Sequence, residues 1–279
     1  MIYMNVGVIG LGLIGGSFAR ALSAVENVTV YGGDKSESAV LQAKLTGAAE
    51  HTLTCENVGL CDYVFIALYP GAVKSILKEL APHIKKGAVV IDTAGTKRTV
   101  CEECFKIAQD NGFCFVGGHP MAGTTNSGYK YSRANLFLGA SMIVVPKKDE
   151  SPEVLQGLKS LLVSIGFKHM TVTTAAEHDR IIAYTSQLAH LVSSAYVKSP
   201  SARLHRGFSA GSYKDMTRVA KLNPKMWTEL FMENRDNLIN ETDNIIAELT
   251  KYSTALKNND EQTLQKLLEE GTMIKESID

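Results

Sequence analysis

The sequence predicts an α/β chain: a doubly wound, mostly parallel sheet over residues 1–173, then an all-helical half over 174–279. Three observations predict it. Short apolar runs alternate with helical patterns as far as Thr173, the signature of a sheet wound with helices. The first run leads directly into Gly10-Leu11-Gly12-Leu13-Ile14-Gly15. After Thr173 strand signals stop, and long amphipathic patterns take over.

Composition narrows the function classes. With 279 residues, 45% hydrophobic and 21% charged, the chain is an ordinary globular protein of one large or two medium domains. Lys+Arg and Asp+Glu both number 29, which leaves no basic footprint for nucleic acid. No Lys or Arg precedes Arg20, and glycines interrupt the apolar run Val6 to Gly16. That run is too short for a membrane span and lacks a leader's basic start. Five cysteines, an odd number, are expected in a reducing cytoplasm. Cys101 and Cys104 form a C-x-x-C inside a helical pattern, with no second pair at zinc-ribbon spacing.

Met4 to Ile9 reads as a buried strand and Ser17 to Val25 as a helix. Between them stands G-x-G-x-x-G. Gly10 permits the tight turn, Gly12 lets a pyrophosphate approach the backbone, and Gly15 lets helix and strand pack closely. The helix N-terminus favours the phosphate charge. This is the Rossmann dinucleotide fingerprint, and the loop Gly10, Leu11, Gly12, Leu13, Ile14 and Gly15 is assigned to the cofactor. A second strand follows, Val28 to Tyr31, and then Asp34, 19 residues after Gly15. A carboxylate there accepts from ribose hydroxyls and repels a 2′-phosphate, so NAD is expected over NADP. Lys35 beside it works against that preference and keeps NADP open.

Tyr63 to Leu68 is the next strand, ending at Tyr69-Pro70-Gly71 before a helix through Leu80. Ala88 to Ile91 follows and ends at the loop Asp92 to Lys97. Phe113 to Val116 delivers Gly117-Gly118-His119-Pro120-Met121-Ala122-Gly123, read as a glycine-rich turn around one imidazole. Gly117, Gly118 and Gly123 are expected to let another molecule approach the backbone. Ligands of such sheets sit beyond the strands' carboxyl ends, where the Gly10 loop, Leu68, the Asp92 to Lys97 loop and His119 converge. Leu68 is assigned to the cofactor on that ground. Ser141 to Val145, a helix from Pro152 to Ile165, and Lys168 to Val172 extend the sheet.

In the second half, Glu177 to Val197 reads as one long helix with no charged residue between Arg180 and Lys198. Its polar members Ser186, Gln187, His190, Ser193 and Ser194 share one stripe. Such a neutral stripe reads as the wall of a pocket or a buried interface. His178 lies 12 residues from His190, about 18 Å along a helix, too far to share a metal. Asn223-Pro224 reads as an N-cap with Pro at N1, opening a helix from Lys225 to Leu256, and a last helix runs from Glu261 to Ser277. Long apolar-striped helices in so small a unit predict a homodimer built on this half. Gly207-Phe208-Ser209-Ala210-Gly211 matches the hydrolase G-x-S-x-G, but no strand run leads into it, as that elbow needs.

The glycine loop Gly10 to Gly16, the stretch Gly117 to Thr124 with Ser127-Gly128, Leu136-Phe137, Asp215-x-Thr217-Arg218-Val219-Ala220 and Asn223-Pro224-x-x-Trp227 resemble the prephenate dehydrogenase family. The resemblance runs from about residue 4 to residue 235. It implies a dinucleotide domain, a helical dimerisation domain, and NAD-linked oxidative decarboxylation of prephenate, or of its amino counterpart arogenate, in tyrosine biosynthesis. On that resemblance His119 is the catalytic base for the ring hydroxyl, Arg218 holds a substrate carboxylate, and His190 and Thr124 face the substrate. Two positions depart from the family. Gly95 stands where many members have a serine supporting the catalytic histidine, and Thr125 where some have glutamate. Thr93, Thr96 or a water are the expected substitutes for the serine hydroxyl. No chorismate mutase extension or ACT-type domain is expected within this length. A β-hydroxy-acid dehydrogenase of the same architecture would carry a lysine on the long helix, and Glu177 to Val197 has none. A nucleotide-sensing protein without turnover would not need both His119 and Arg218.

Overall fold

A computed structural model describes residues 3–124 and 126–278. Thr125 therefore lies outside the described residues. Eight strands form one sheet in the order β3-β2-β1-β4-β5-β6-β7-β8. They are β1 (Met4–Ile9), β2 (Val28–Gly33), β3 (His51–Thr52), β4 (Tyr63–Ile66), β5 (Val89–Asp92), β6 (Cys114–Pro120), β7 (Ser141–Val145) and β8 (His169–Val172). Every pairing is parallel except β6 with β7. The order reverses direction at β1, which sends the chain's crossovers to opposite faces and opens a crevice there.

The helices of the first half are α1 (Leu13–Leu22), α2 (Glu37–Leu45), α3 (Pro70–Leu80), α4 (Arg98–Asn111) and α5 (Pro152–Ser164). They bury two separate apolar layers. On one face Phe18 of α1 stacks on Phe65, and Phe137 stacks on Phe167. On the other, Val73 and Leu77 of α3 pack with Val100 of α4 and Phe115 of β6. The helix α1 begins at Leu13, four residues before the sequence reading, because the glycine loop itself turns into the first helical turn.

The second half holds α6 (Ala175–Ile182), a π-helical turn (Ala183–Leu188), α7 (Ala189–Tyr196), α8 (Gly211–Thr217), α9 (Pro224–Glu233), α10 (Arg235–Lys257) and α11 (Glu261–Ile278). Two single helices expected from the pattern are thus interrupted. The run Glu177 to Val197 carries the π-turn at its centre. The run Lys225 to Leu256 breaks at Asn234, whose buried side chain donates to Asp179 O at 2.7 Å and to Gln187 Oε1 at 2.8 Å. Those bonds draw the chain inward and tie α9 and α10 onto the π-turn. No strand enters the Gly207 to Gly211 loop, so the hydrolase elbow is absent. Among the described residues no helix is long and apolar enough to cross a membrane.

Candidate active site

Three helices present their N-termini at the carboxyl edge of β1, β4 and β5, and none of the three caps itself with its own side chain. The helical half caps two of them. Glu229 of α9 accepts the Gly71 N–H of α3 at 3.0 Å. Asp179 of α6 accepts the Lys97 N–H at 2.8 Å and the Arg98 N–H at 2.9 Å, at the start of α4. Carboxylates there satisfy orphan donors and the helix dipole together. The third, α1, has no side-chain cap.

The glycine loop at α1 is shaped as a dinucleotide needs. Gly10 adopts φ +86°, and a Cβ there would lie 2.4 Å from Ala67 O. A Cβ at Gly15 would lie 1.9 Å from Gly10 O, so helix and strand touch through it. At Gly12 a Cβ would meet only open space, the room a pyrophosphate requires. Leu13 and Ile14 form the first turn of α1 around it. Leu11 turns its side chain into the core, and its N–H donates to Asp34 Oδ2 at 2.7 Å. Asp34 Oδ1 accepts from Ser36 N at 2.8 Å, so the carboxylate is already oriented at the end of β2. Leu68 packs against the apolar layer behind Gly10. These residues fit a dinucleotide.

His119 lies near the carboxyl end of β6, three strands from β1, about 14 Å across the sheet. It is in the strand and not in a turn, because β7 runs antiparallel alongside and pairs Ile143 with His119. The glycines before it also serve a different end from the expected one. A Cβ at Gly118 would lie 2.4 Å from Asp92 O, and one at Gly117 would lie 2.5 Å from Cys101 Sγ. The protein's own β5 and α4 fill that space, and no ligand approaches there. Gly123 alone of the three faces open space.

The His119 ring is fixed by a chain of hydrogen bonds. Its Nδ1 meets His178 Nε2 at 2.9 Å, and His178 Nδ1 meets Asp179 Oδ1 at 2.7 Å. His178 and Asp179 are both buried, while His119 keeps part of its surface open. Behind them the fully buried Lys97 ammonium pairs with the fully buried Asp92 carboxylate. Asp92 also accepts from Ala94 N at 2.8 Å and from Gly118 N at 3.1 Å, next to His119. The hydrogen-bond partner of the His119 ring is neither of the two threonines expected to replace the serine. Thr96 gives its hydroxyl to Glu233. A side chain at Gly95 would press on Leu230 Cδ2, 3.0 Å from its Cβ. His178 fills the supporting role instead. In sequence, the 12-residue spacing of His178 from His190 speaks only against a shared metal. The signal was present in Glu177-His178-Asp179, three titratable groups at the edge of an uncharged helix.

Burial pushes the His119 pKa well below 6.5, and His178 and the Lys97 charge push the same way against a smaller opposing pull from Asp179. His178 is lowered for the same first reason, with Asp179 opposing. Burial opposes ionisation of Asp179, but its bonds from His178, Arg98 and Lys97 outweigh that and hold it below 3.8. The two imidazoles are therefore neutral near pH 7. Their linkage to stability has one sign. Above the unfolded value of 6.5 neither state binds these protons, and the neutral-ring advantage is complete. As pH falls through that value the unfolded chain binds protons that the native rings refuse, so stability drops. The urea midpoint should fall between about pH 7 and pH 5. His178→Gln should flatten that slope, and an unchanged slope would mean that the ring titrates alike in both states.

His190 stands on α7 with Nδ1 on Ser186 O at 2.8 Å, and its ring stacks on Trp227 at 4.0 Å between centroids. Burial lowers its pKa first, and the nearby Arg218 charge lowers it further against the pull of Ser186 O. Arg218 itself is exposed at the end of α8. The polar stripe divides in two. Gln187 donates to Leu230 O at 3.0 Å and Ser193 to Met216 O at 2.7 Å, which makes them an interface between helices. His190 remains half-open. Thr124 is exposed, its hydroxyl accepting from Asn126 N at 3.3 Å. Among the described residues His119 belongs to one cluster, with His178, Asp179 and Lys97. His190, Trp227 and Arg218 belong to another.

A nucleotide-binding sheet with a poised imidazole beside its crevice defines a dinucleotide-linked oxidoreductase. Residues 18–171 match the prephenate dehydrogenase nucleotide-binding domain, and residues 174–270 the prephenate dehydrogenase dimerization domain. The chain is 31% identical to a cyclohexadienyl dehydrogenase of Zymomonas mobilis over 93% of this chain and 90% of that protein. It is 26% identical to a prephenate dehydrogenase of Lactococcus lactis over 98% of this chain and 77% of that one. Among solved structures, the prephenate dehydrogenase of A. aeolicus in complex with hydroxyphenyl propionate and NAD+ superposes with a TM-score of 0.86. That pair shares 28% identity and covers 100% of this chain and 99% of the other. The chain belongs to the prephenate dehydrogenase family.

Proposed function

We propose that the protein oxidises prephenate to 4-hydroxyphenylpyruvate and CO₂ with NAD. The observation that carries this reading is His119, half-buried and neutral, with Nδ1 committed to His178 at the same carboxyl edge of the sheet as the glycine loop. Loss of hydride from a hydroxyl-bearing carbon needs a base for the hydroxyl proton, and a neutral imidazole is one. NAD, when bound, supplies the hydride acceptor. His119 takes the hydroxyl proton as hydride leaves, and returns it to the phenolate oxygen formed when aromatisation releases CO₂ from the opposite carbon. Incubation with NAD and either prephenate or arogenate, followed at the NADH band, tests the reading. The expected order is a higher kcat/KM for prephenate; arogenate above prephenate would reverse the substrate assignment.

Arg218 is assigned to a substrate carboxylate, since its exposed guanidinium stands near His190 without a carboxylate partner among the described residues. Arg218→Lys keeps the charge but loses two-pronged geometry. Loss of one charge-assisted bond costs about 1.5–3 kcal/mol, roughly ten- to a hundredfold, and should appear as a higher KM for prephenate. The Kd for NAD should stay as it was. An unchanged KM in both Arg218→Lys and Arg218→Ala would return Arg218 to a surface role. Thr124 is assigned to the same substrate.

Asp34 supports NAD over NADP, because an oriented carboxylate at the end of β2 repels a 2′-phosphate. Asp34→Ser should narrow or reverse the preference; equal kcat/KM with both cofactors in the unmodified protein would remove its basis. We place the domain boundary at Thr173 and propose a homodimer through the helical half. Exposed Ile239, Ile246 and Leu249 on α10, with Leu268 and Ile274 on α11, form apolar surface that a second copy would bury.

A further inference from the structure

We propose that His178 and Asp179 are positioning residues that lock His119 in the tautomer with its proton on Nδ1, leaving Nε2 as the only nitrogen able to accept the substrate proton. The proposal rests on His119 as the base. It goes beyond that reading by assigning a hydrogen-bonded pair from the helical half to set the state of a histidine in the sheet half.

The direction of each hydrogen follows from the end of the chain. Asp179 accepts from the Lys97 and Arg98 backbone N–H groups as well as from the Arg98 side chain at 3.3 Å. Surrounded by donors, it is an ionised acceptor, so the proton in its 2.7 Å bond to His178 belongs to His178 Nδ1. A neutral His178 then has no proton on Nε2. The 2.9 Å bond between the rings needs a donor, and only His119 Nδ1 can supply it. The one alternative is a doubly protonated His178. Its ring is buried, and the Lys97 ammonium acts on it from behind, both against a second proton. Lys97, Asp92 and Asp179 are the charged groups that act on the two rings, and Lys97 and Asp92 neutralise each other.

The same chain serves the protonated state. When His119 gains a proton on Nε2, its Nδ1–H is already donated, and Asp179 answers the new positive charge through His178. Asp179 cannot drift, because the start of α4 holds both its oxygens. The base is thus set only when the helical half is docked on the sheet. Gly95 leaves no hydroxyl in the place that many family members use for this support.

Asp179→Asn tests this. An amide can keep its oxygen on Arg98 N–H and Nε–H, in the place of Oδ2, while its NH₂ takes the place of Oδ1 and faces His178 Nδ1, at the loss of the Lys97 N–H bond. That reverses every donor along the chain and puts the His119 proton on Nε2. In serine proteases the same change in an Asp-His pair costs about 10⁴ in kcat through the wrong tautomer. A loss of about 10²–10⁴ in kcat is expected here, with the prephenate KM changed less than about threefold. His178→Gln can still accept from His119 and donate to Asp179, so kcat should fall only about tenfold. His178→Phe, with no acceptor, should fall much further.

The tautomer is read directly, without substrate, by long-range ¹H–¹⁵N correlation on protein labelled at histidine, with His119 signals assigned by their loss in His119→Asn. The expected result is a protonated Nδ1 and bare Nε2 in the parent, and the reverse in Asp179→Asn. A parent with its proton on Nε2 would overturn the proposal, as would identical His119 signals in a folded Asp179→Asn. If Asp179→Asn fails to fold, His178→Gln against His178→Phe decides, and equal kcat in the two overturns it. Failure to turn over prephenate would sink the functional reading but leave the tautomer result standing.

Discussion

His119→Asn should lower kcat by about 10²–10⁴, or 3–5 kcal/mol of barrier, with the Kd for NAD unchanged. Asparagine keeps a donor toward His178 Nε2 and a side chain of similar reach, so the strand and its β7 partner have no reason to move. What it loses is the nitrogen that accepts a proton. The glycine loop follows β1, three strands away in the sheet. A variant retaining most of its turnover would reduce His119 to a strand residue that fills the sheet edge.

Lys97→Met should destabilise the protein by about 3–5 kcal/mol, because it strands the Asp92 carboxylate, which is fully buried with Lys97 as its counter-charge. Two backbone donors, Ala94 N and Gly118 N, ease the penalty without cancelling it. The double variant Asp92→Asn with Lys97→Met removes the charge and keeps an acceptor for one of those donors, so it should regain much of the loss. Urea unfolding at pH 7 measures both, with the midpoint falling in the single variant and recovering in the double. A single variant as stable as the parent would mean that water reaches Asp92 when Lys97 is gone.

Local pattern carried most of the sheet half. The glycine loop, Asp34 and the strands β1, β4, β5 and β7 are written in short apolar runs and turn residues that act within a few positions. The strand β3, two residues long, and the mostly exposed α2 have too little apolar period to be read. Gly117 and Gly118 look like a ligand turn in sequence, yet they answer to Cys101, Met142 and Asp92, groups from other elements. The same limit hid the support of His119. Gly95 advertised a missing hydroxyl, but its replacement lies more than eighty residues on, and only docking of α6 on α4 brings the two together. The break at Asn234 was legible in part, since Glu233-Asn234-Arg235-Asp236 is a polar run inside a helical pattern. The π-turn at Ala183–Leu188 has no signature in its residue types.

The most direct test of the account follows NADH and CO₂ together from prephenate labelled at its ring carboxylate, with enzyme in excess over substrate. One NADH and one labelled CO₂ per prephenate are expected, appearing together in the parent and slowed together in His119→Asn. NADH without CO₂ release, or no NADH from prephenate or arogenate, would contradict it.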